Sequence, residues 1–422
     1  MYRNANQFQK MKILSIVQSF PENVVTLSKF QGFVENEHYD YRVFCWKSPP
    51  LDWELWAAHI PRKHRSKVIV SGASRIFSRS FLDETARFLG FFMTQPGLSL
   101  RHLKYHLPKI GAIRACHRLL DDYKILKAKP DLLHFEFGTN AVEKLYLKTL
   151  LNCKVLVSFR GYDLNFFQLE NDAVYRPVWE QADGFHFLGQ DLLERARLRG
   201  MPEGKRYRLI PPAIDLKRFF PKRASLAEPE SPISIVSVGR HVWKKGLNFG
   251  LLAFAEFLKK GGKGTYHLIG EGPAREELDY YARELGISTQ VVFHGKRSPE
   301  QVRDILNQAD AFLHPSISEG FCNAAMEAQA MELPVICFET GGLPENVVHG
   351  ETGFLSPLRD WSMMAQHLYE LWKNPSLRQQ MGKNGRERMA RFFSPEMQIA
   401  AFEVLYQSVF AADQPTSWPN PT

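Results

Sequence analysis

Two glutamates, Glu319 and Glu327, stand eight residues apart in Ser316-Ile-Ser-Glu-Gly-Phe-Cys-Asn-Ala-Ala-Met-Glu-Ala328. A wholly helical spacer of that length rises about 12 Å. That exceeds the roughly 5–9.5 Å of a hydrolase carboxylate pair. It suits two ends of one extended ligand: a carboxylate at each end for vicinal hydroxyls, and helix N-terminal N–H groups between them for an anion. The outline is that of a nucleotide sugar. A strand–helix turn with two surface glutamates would read the same way. A second segment, Gly239-Arg-His-Val-Trp-Lys-Lys-Gly246, places Arg240 and Lys245 just beyond an apolar run. Fixed cations at the carboxyl end of a strand can hold a diphosphate and absorb leaving-group charge, although a solvated basic loop looks no different. GxxxxGK[ST] is absent, which disfavours P-loop chemistry.

Such residues need strands to carry them. Short runs rich in Val, Ile and Phe recur at 12–17, 132–137, 155–159, 185–188 and 208–210, then at 233–238, 266–269, 291–293, 311–313 and 335–338. Helix-length patterns separate them; Leu247, Leu251, Leu252, Ala255 and Leu258 fall on one face. Runs this short read as strands buried on both faces of parallel sheets, so the alternation predicts two doubly wound α/β domains. The polar, proline-rich stretch Phe220–Pro232 reads as the linker. Domains are expected over 1–225 and 231–393. A helix over 394–412, with Ser394 as N-cap and Pro395 at its first position, is expected to cross back.

The chain of 422 residues is 44% hydrophobic and 23% charged, which excludes disorder and collagen. No apolar run reaches the roughly 18–20 residues of a membrane span, and no signal peptide is evident. The five cysteines are scattered and never form CxxC, so reduced thiols in a cytoplasmic setting are expected. Net charge is +9, but unevenly placed: residues 1–230 carry 36 Lys+Arg against 24 Asp+Glu, and residues 61–130 alone carry 15 against 4. That stretch also holds Phe88-Leu-Gly-Phe-Phe-Met93. It reads as a basic helical insertion, either a cap on the first domain or a surface for anionic membrane. No recognition module supports nucleic-acid binding.

Gly239-Arg240…Lys245-Gly246, Leu268-Ile-Gly-Glu-Gly-Pro273, Val292-Phe-His-Gly295, Glu319-x7-Glu327, Gly341-Gly-Leu-Pro-Glu345 and Gly350-Glu-Thr-Gly-Phe354 follow in that order. The set resembles the retaining GT-B glycosyltransferases of family 4, over about residues 205–410. Glu-Gly-Phe-Cys-Asn and Trp243-Lys-Lys-Gly resemble the bacterial exopolysaccharide, capsule and O-antigen enzymes. Leu133-His-Phe-Glu-Phe-Gly138, Phe159-Arg-Gly-Tyr-Asp163 and Ile210-Pro-Pro-Ala-Ile-Asp215 are looser matches. Pro21–Val25 lacks the glycine-rich loop of many relatives, and Arg160 stands where many have His.

The resemblance implies two Rossmann-like domains facing each other across a cleft. It implies transfer of a hexose from a UDP- or GDP-sugar to a glycan or lipid-linked acceptor, with retention and without an obligatory metal or other cofactor. Arg240 and Lys245 would grip the diphosphate, Glu319 the sugar hydroxyls, and Glu327 the ribose. The N–H groups of Gly320, Phe321, Cys322 and Asn323 would face sugar and phosphate, and Gly295–Arg297 would lie near the base. His134, Arg160 and Asp163 are candidates on the acceptor side. The enzyme would be cytoplasmic, as a peripheral protein on the inner membrane face. A GT-B nucleotide-sugar epimerase and a non-catalytic sugar-nucleotide-binding protein are the alternatives.

Overall fold

The structure is a computed structural model that describes residues 10–20, 24–46, 60–71, 81–221 and 228–411. Pro21, the middle of the linker and the tail from Asp413 lie outside these. The chain forms two compact units. One comprises residues up to Phe187, Arg195–Ile210 and the segment from Gln398; the other comprises Leu188–Glu194 and Pro211–Met397.

The first unit carries strands β1 (Met11–Val17), β2 (Tyr39–Cys45), β3 (Val68–Val70), β4 (Leu132–Phe135), β5 (Lys154–Phe159), β6 (Gly184–Phe187) and β7 (Tyr207–Leu209). They form one parallel sheet in the order β3-β2-β1-β4-β5-β6-β7. The second carries β8 (Ile233–Val238), β9 (Gly264–Ile269), β10 (Val291–Gly295), β11 (Ala311–His314), β12 (Val335–Phe338) and β13 (Gly353–Ser356), in the order β10-β9-β8-β11-β12-β13. Both are doubly wound Rossmann-like sheets, the fold of the GT-B class. In each, strand order reverses beside the first strand, between β1 and β4 and between β8 and β11. Ligands bind at the carboxyl ends of strands flanking such a reversal.

Beyond β3, the basic insertion forms helices Phe81–Thr94, Pro96–Ile110 and Ala112–Ala128. Its stretch Phe88–Met93 divides between inside and outside: Phe91 is buried and Phe88 packs edge-on against buried Tyr123 with ring centres 5.6 Å apart, whereas Leu89 and Met93 are exposed. Helix Pro395–Ser408 starts as its cap predicts, with Met397 N–H donating to Ser394 Oγ at 3.2 Å. Its Ala401, Phe402, Leu405 and Tyr406 belong to the core of the first unit.

Candidate active site

The two charged motifs are the loops that follow β8 and β11, the strands of the reversal. After β8 the chain makes a 3₁₀ turn, Trp243–Lys245, and enters helix Leu247–Lys259 through Gly246 at φ +57°. A Cβ on Gly246 would lie 2.1 Å from the Pro315 carbonyl oxygen, so only glycine lets the loops touch here. Ile317 N–H donates to the Lys244 carbonyl at 2.9 Å and ties them together.

Lys245 and Glu319 meet across this seam, the Lys245 ammonium donating to Glu319 Oε1. His314, the last residue of β11, approaches the same oxygen through Nε2 at 2.8 Å, and Cys322 Sγ lies 3.1 Å from that nitrogen. Burial alone would raise the Glu319 pKa, but Lys245 and His314 hold it well below the usual carboxylate range. Burial pushes His314 down, yet neighbouring Cys322 and Glu319 outweigh it and lift it to about 9. Lys245 is raised as well, the Glu319 charge overcoming desolvation. The result is a fixed cluster with two cations around one carboxylate. Ligand atoms of His314, Glu319 and Cys322 converge within 4.8 Å, a spacing a metal could use. In this structure Lys245 and His314 both bind Oε1 of Glu319.

Glu327 lies on helix Asn323–Ala330 and behaves differently. Burial pushes its pKa up to about 7, with Arg218 only partly opposing, and no hydrogen bond from a described residue reaches its carboxylate. A desolvated, unpartnered carboxylate lacks the donors that a vicinal diol supplies. The loop before it is pinned from behind: Asn346 Nδ2 donates to the carbonyls of Phe321 at 2.8 Å and Cys322 at 3.0 Å. Gly341 and Gly342 press on its backbone, where their Cβ atoms would lie 2.1 Å from Glu319 O and 2.3 Å from Gly320 O. Phe321 and Cys322 are buried, while Asn323 is exposed at the first helical position.

Arg240 and Arg297 are exposed, and the Arg240 charge lowers the pKa of Lys244, behind burial, placing it beside this cluster. Gly295 ends β10 at φ +68°, with Lys296 N–H donating to Glu271 at 3.2 Å. A cavity of about 310 Å³, lined by residues including Trp243, Asn248, Ile317 and Arg359, adjoins the 3₁₀ turn; Lys245, Glu319 and Glu327 do not line it.

Two of the acceptor-side candidates are corrected by their burial. His134 is wholly enclosed, with Nε2 2.7 Å from Ser158 Oγ and Nδ1 2.9 Å from the Tyr406 hydroxyl. Asp163 accepts the N–H groups of Thr139 at 2.9 Å and Arg160 at 2.8 Å, as a helix cap. Both already have protein partners and neither reaches solvent. Arg160 is partly exposed and donates to Glu136 at 3.0 Å. Glu136 in turn accepts from buried Lys29 at 2.6 Å. Burial, against the pull of Glu136, drives the Lys29 pKa down to about 8. His314 and Asn346 are site residues that the motif order does not flag.

The family "Glycosyl transferases group 1" matches residues 219–388. WcaL of Escherichia coli, a glycosyltransferase provisionally assigned to colanic acid biosynthesis, is 27% identical over 57% of this chain and 61% of its own length. The chain thus spans about three fifths of that relative. N-acetyl-alpha-D-glucosaminyl L-malate synthase of Bacillus anthracis is 31% identical over 67% of this chain and 76% of its own. Among solved structures, Anabaena HepE in complex with UDP-glucose superposes with a TM-score of 0.70 at 16% identity, covering 94% of this chain and all of that one.

Proposed function

This chain belongs to the glycosyl transferases of group 1, and from that premise we propose that it moves a hexose from a nucleoside-diphosphate sugar to a glycan or lipid-linked acceptor with retained configuration. The observation that carries the reading is the pairing of Lys245 with Glu319, at the loop leading to helix Asn323–Ala330, whose Glu327 carboxylate meets no hydrogen bond from a described residue. Arg240 and Lys245 hold the diphosphate. Glu327 accepts the ribose hydroxyls and Glu319 those of the sugar. The N–H groups opening helix Asn323–Ala330 face the anion between them.

In the donor-free chain the Lys245 charge is matched by Glu319. When the sugar–phosphate bond breaks, negative charge grows on the leaving phosphate, and Lys245 and Arg240 stabilise it, while His314 remains on Glu319. The acceptor hydroxyl attacks on the face the phosphate leaves. Its proton passes to the departing phosphate oxygen, so no protein base is required. UDP-glucose, bound by HepE, is the first donor to test, and the colanic acid assignment of WcaL points to bacterial surface polysaccharide.

We place the protein on an anionic membrane face, where lipid-linked acceptors reside. Leu89, Met93, Leu100, Leu107 and Ile113 are exposed on the insertion helices, interspersed with exposed Arg87, Arg101, Lys104, Lys109 and Arg114. The reading is tested by a thermal-shift panel of nucleoside diphosphates and their sugars, followed by transfer assays with the stabilising donor. Stabilisation by a diphosphate and its sugar is expected; indifference to every one of them would overturn the reading.

A further inference from the structure

The insertion holds a cluster that sugar transfer does not use. His102 and His106 stand one turn apart on helix Pro96–Ile110, and Asp122 reaches them from helix Ala112–Ala128. They are 0%, 6% and 0% exposed. His102 Nε2 lies 3.0 Å from Asp122 Oδ2, and the two imidazole centres are 4.5 Å apart. One ligand atom from each of the three residues falls within 4.8 Å of the others. Two ring nitrogens are left over: His102 Nδ1 and His106 Nε2 are buried and meet no hydrogen-bond partner among the described residues. Buried polar atoms in that condition are rare and call for an explanation. Asp122 is held in place from outside the cluster, Lys144 donating to Oδ1 at 2.6 Å and the Tyr146 hydroxyl to Oδ2.

We propose that His102, His106 and Asp122 bind a divalent transition metal, zinc in preference to magnesium, as a structural clamp between the two helices. Two imidazoles at i and i+4 with one carboxylate form a zinc donor set, and nitrogen ligands select against magnesium. A tetrahedron with bonds of 2.0–2.1 Å has edges of about 3.4 Å, so the cluster needs to contract by about 1.4 Å at most. Lys144 holds Oδ1, and Oδ2, which also accepts from Tyr146 and faces His102 Nε2, is the ligand. Of the two unpartnered nitrogens the metal takes His106 Nε2, and its second nitrogen ligand is His102 Nε2; on ligation the His102 proton moves from Nε2 to Nδ1, and water takes the fourth position. Tyr146 orients the carboxylate as a positioning residue.

The test uses the full chain stripped with EDTA and titrated with Co²⁺ as a coloured probe. A saturating visible band at one cobalt per chain is expected, displaced by one equivalent of Zn²⁺. His106→Phe keeps an aromatic ring against Tyr146 and should abolish the band, while Tyr146→Phe should weaken affinity about 10–100-fold. Zn²⁺ should raise the unfolding midpoint of the wild type and leave that of His106→Phe unchanged. X-ray absorption at the zinc edge of the wild type gives a reading independent of any variant, with nitrogen and oxygen neighbours expected. An absent band, a band equally strong in His106→Phe, or a sulfur neighbour would each overturn the proposal.

Discussion

Burial raises the Glu327 carboxyl to about 7, so in the proposed ribose-binding role it would couple proton uptake to nucleotide binding in the neutral range. Hydroxyl donors favour the ionised carboxylate, so nucleoside-diphosphate affinity should rise as pH increases from 6 to 8. Glu327→Gln should remove this rise; calorimetry on both proteins isolates it, since the variant retains whatever the diphosphate itself titrates. A wild-type rise no steeper than that of the variant would remove Glu327 from the ribose. The same group leaves a mark on stability. Its folded pKa exceeds its unfolded one, so the native state holds the extra proton between about pH 4.5 and 7, and this contribution falls as pH rises through that window. Lys245→Ala and Arg240→Ala should each lower turnover about 10²–10³-fold, the usual cost of removing a charge-stabilising donor, as steady-state rates would show. Near-normal rates in both would contradict the diphosphate assignment. Chemically distinctive side chains were legible by type and spacing, but their orientation was not. His134 and Asp163 sit in motifs yet point into the interior, whereas His314 is one residue ahead of the charged loop and reads as an ordinary strand end.

Parallel strands covered on both faces leave runs of apolar residues, which is why β1, β8 and β12 are visible in the sequence. β2 and β13 are not. Tyr39-Asp-Tyr-Arg-Val-Phe-Cys45 alternates buried and partly buried residues beside the edge strand β3, and β13 is a four-residue edge strand opening with Gly353. Asp40 and Arg42 interrupt the apolar run of β2, and Gly353 and Ser356 bracket the two apolar residues of β13, so neither shows a continuous apolar run. The glycine pair was legible as a turn, but not as a wedge against the Glu319–Gly320 backbone. Gly342 has an ordinary negative φ, so Gly342→Ala tests close approach alone. Overpacking of this kind costs about 1–3 kcal/mol. The urea midpoint should fall accordingly and donor affinity with it; a variant unchanged in both would show that the loop yields freely.

For the molecule as a whole, exposed apolar side chains among basic ones on the insertion predict reversible, salt-sensitive membrane association. Each basic group near an anionic surface contributes about 1 kcal/mol, attenuated by salt. In flotation assays the protein should rise with anionic liposomes at low salt, remain behind with neutral ones, and be released across a salt series. Binding indifferent to lipid charge would assign these residues to solubility. The first unit also draws part of its core from the far end of the chain. Tyr406 closes on His134 at 2.9 Å, and Phe402 receives the Lys29 ammonium 3.8 Å from its ring centre. During synthesis, β1 leaves the ribosome first, yet the side chains that finish its surroundings emerge after nearly all of the second unit has been made. The nascent β1 sheet therefore waits with Lys29 and Glu136 lacking that cover while the later unit has all its own strands in hand. Order of translation and order of completion are therefore reversed: the half made first is the half completed last.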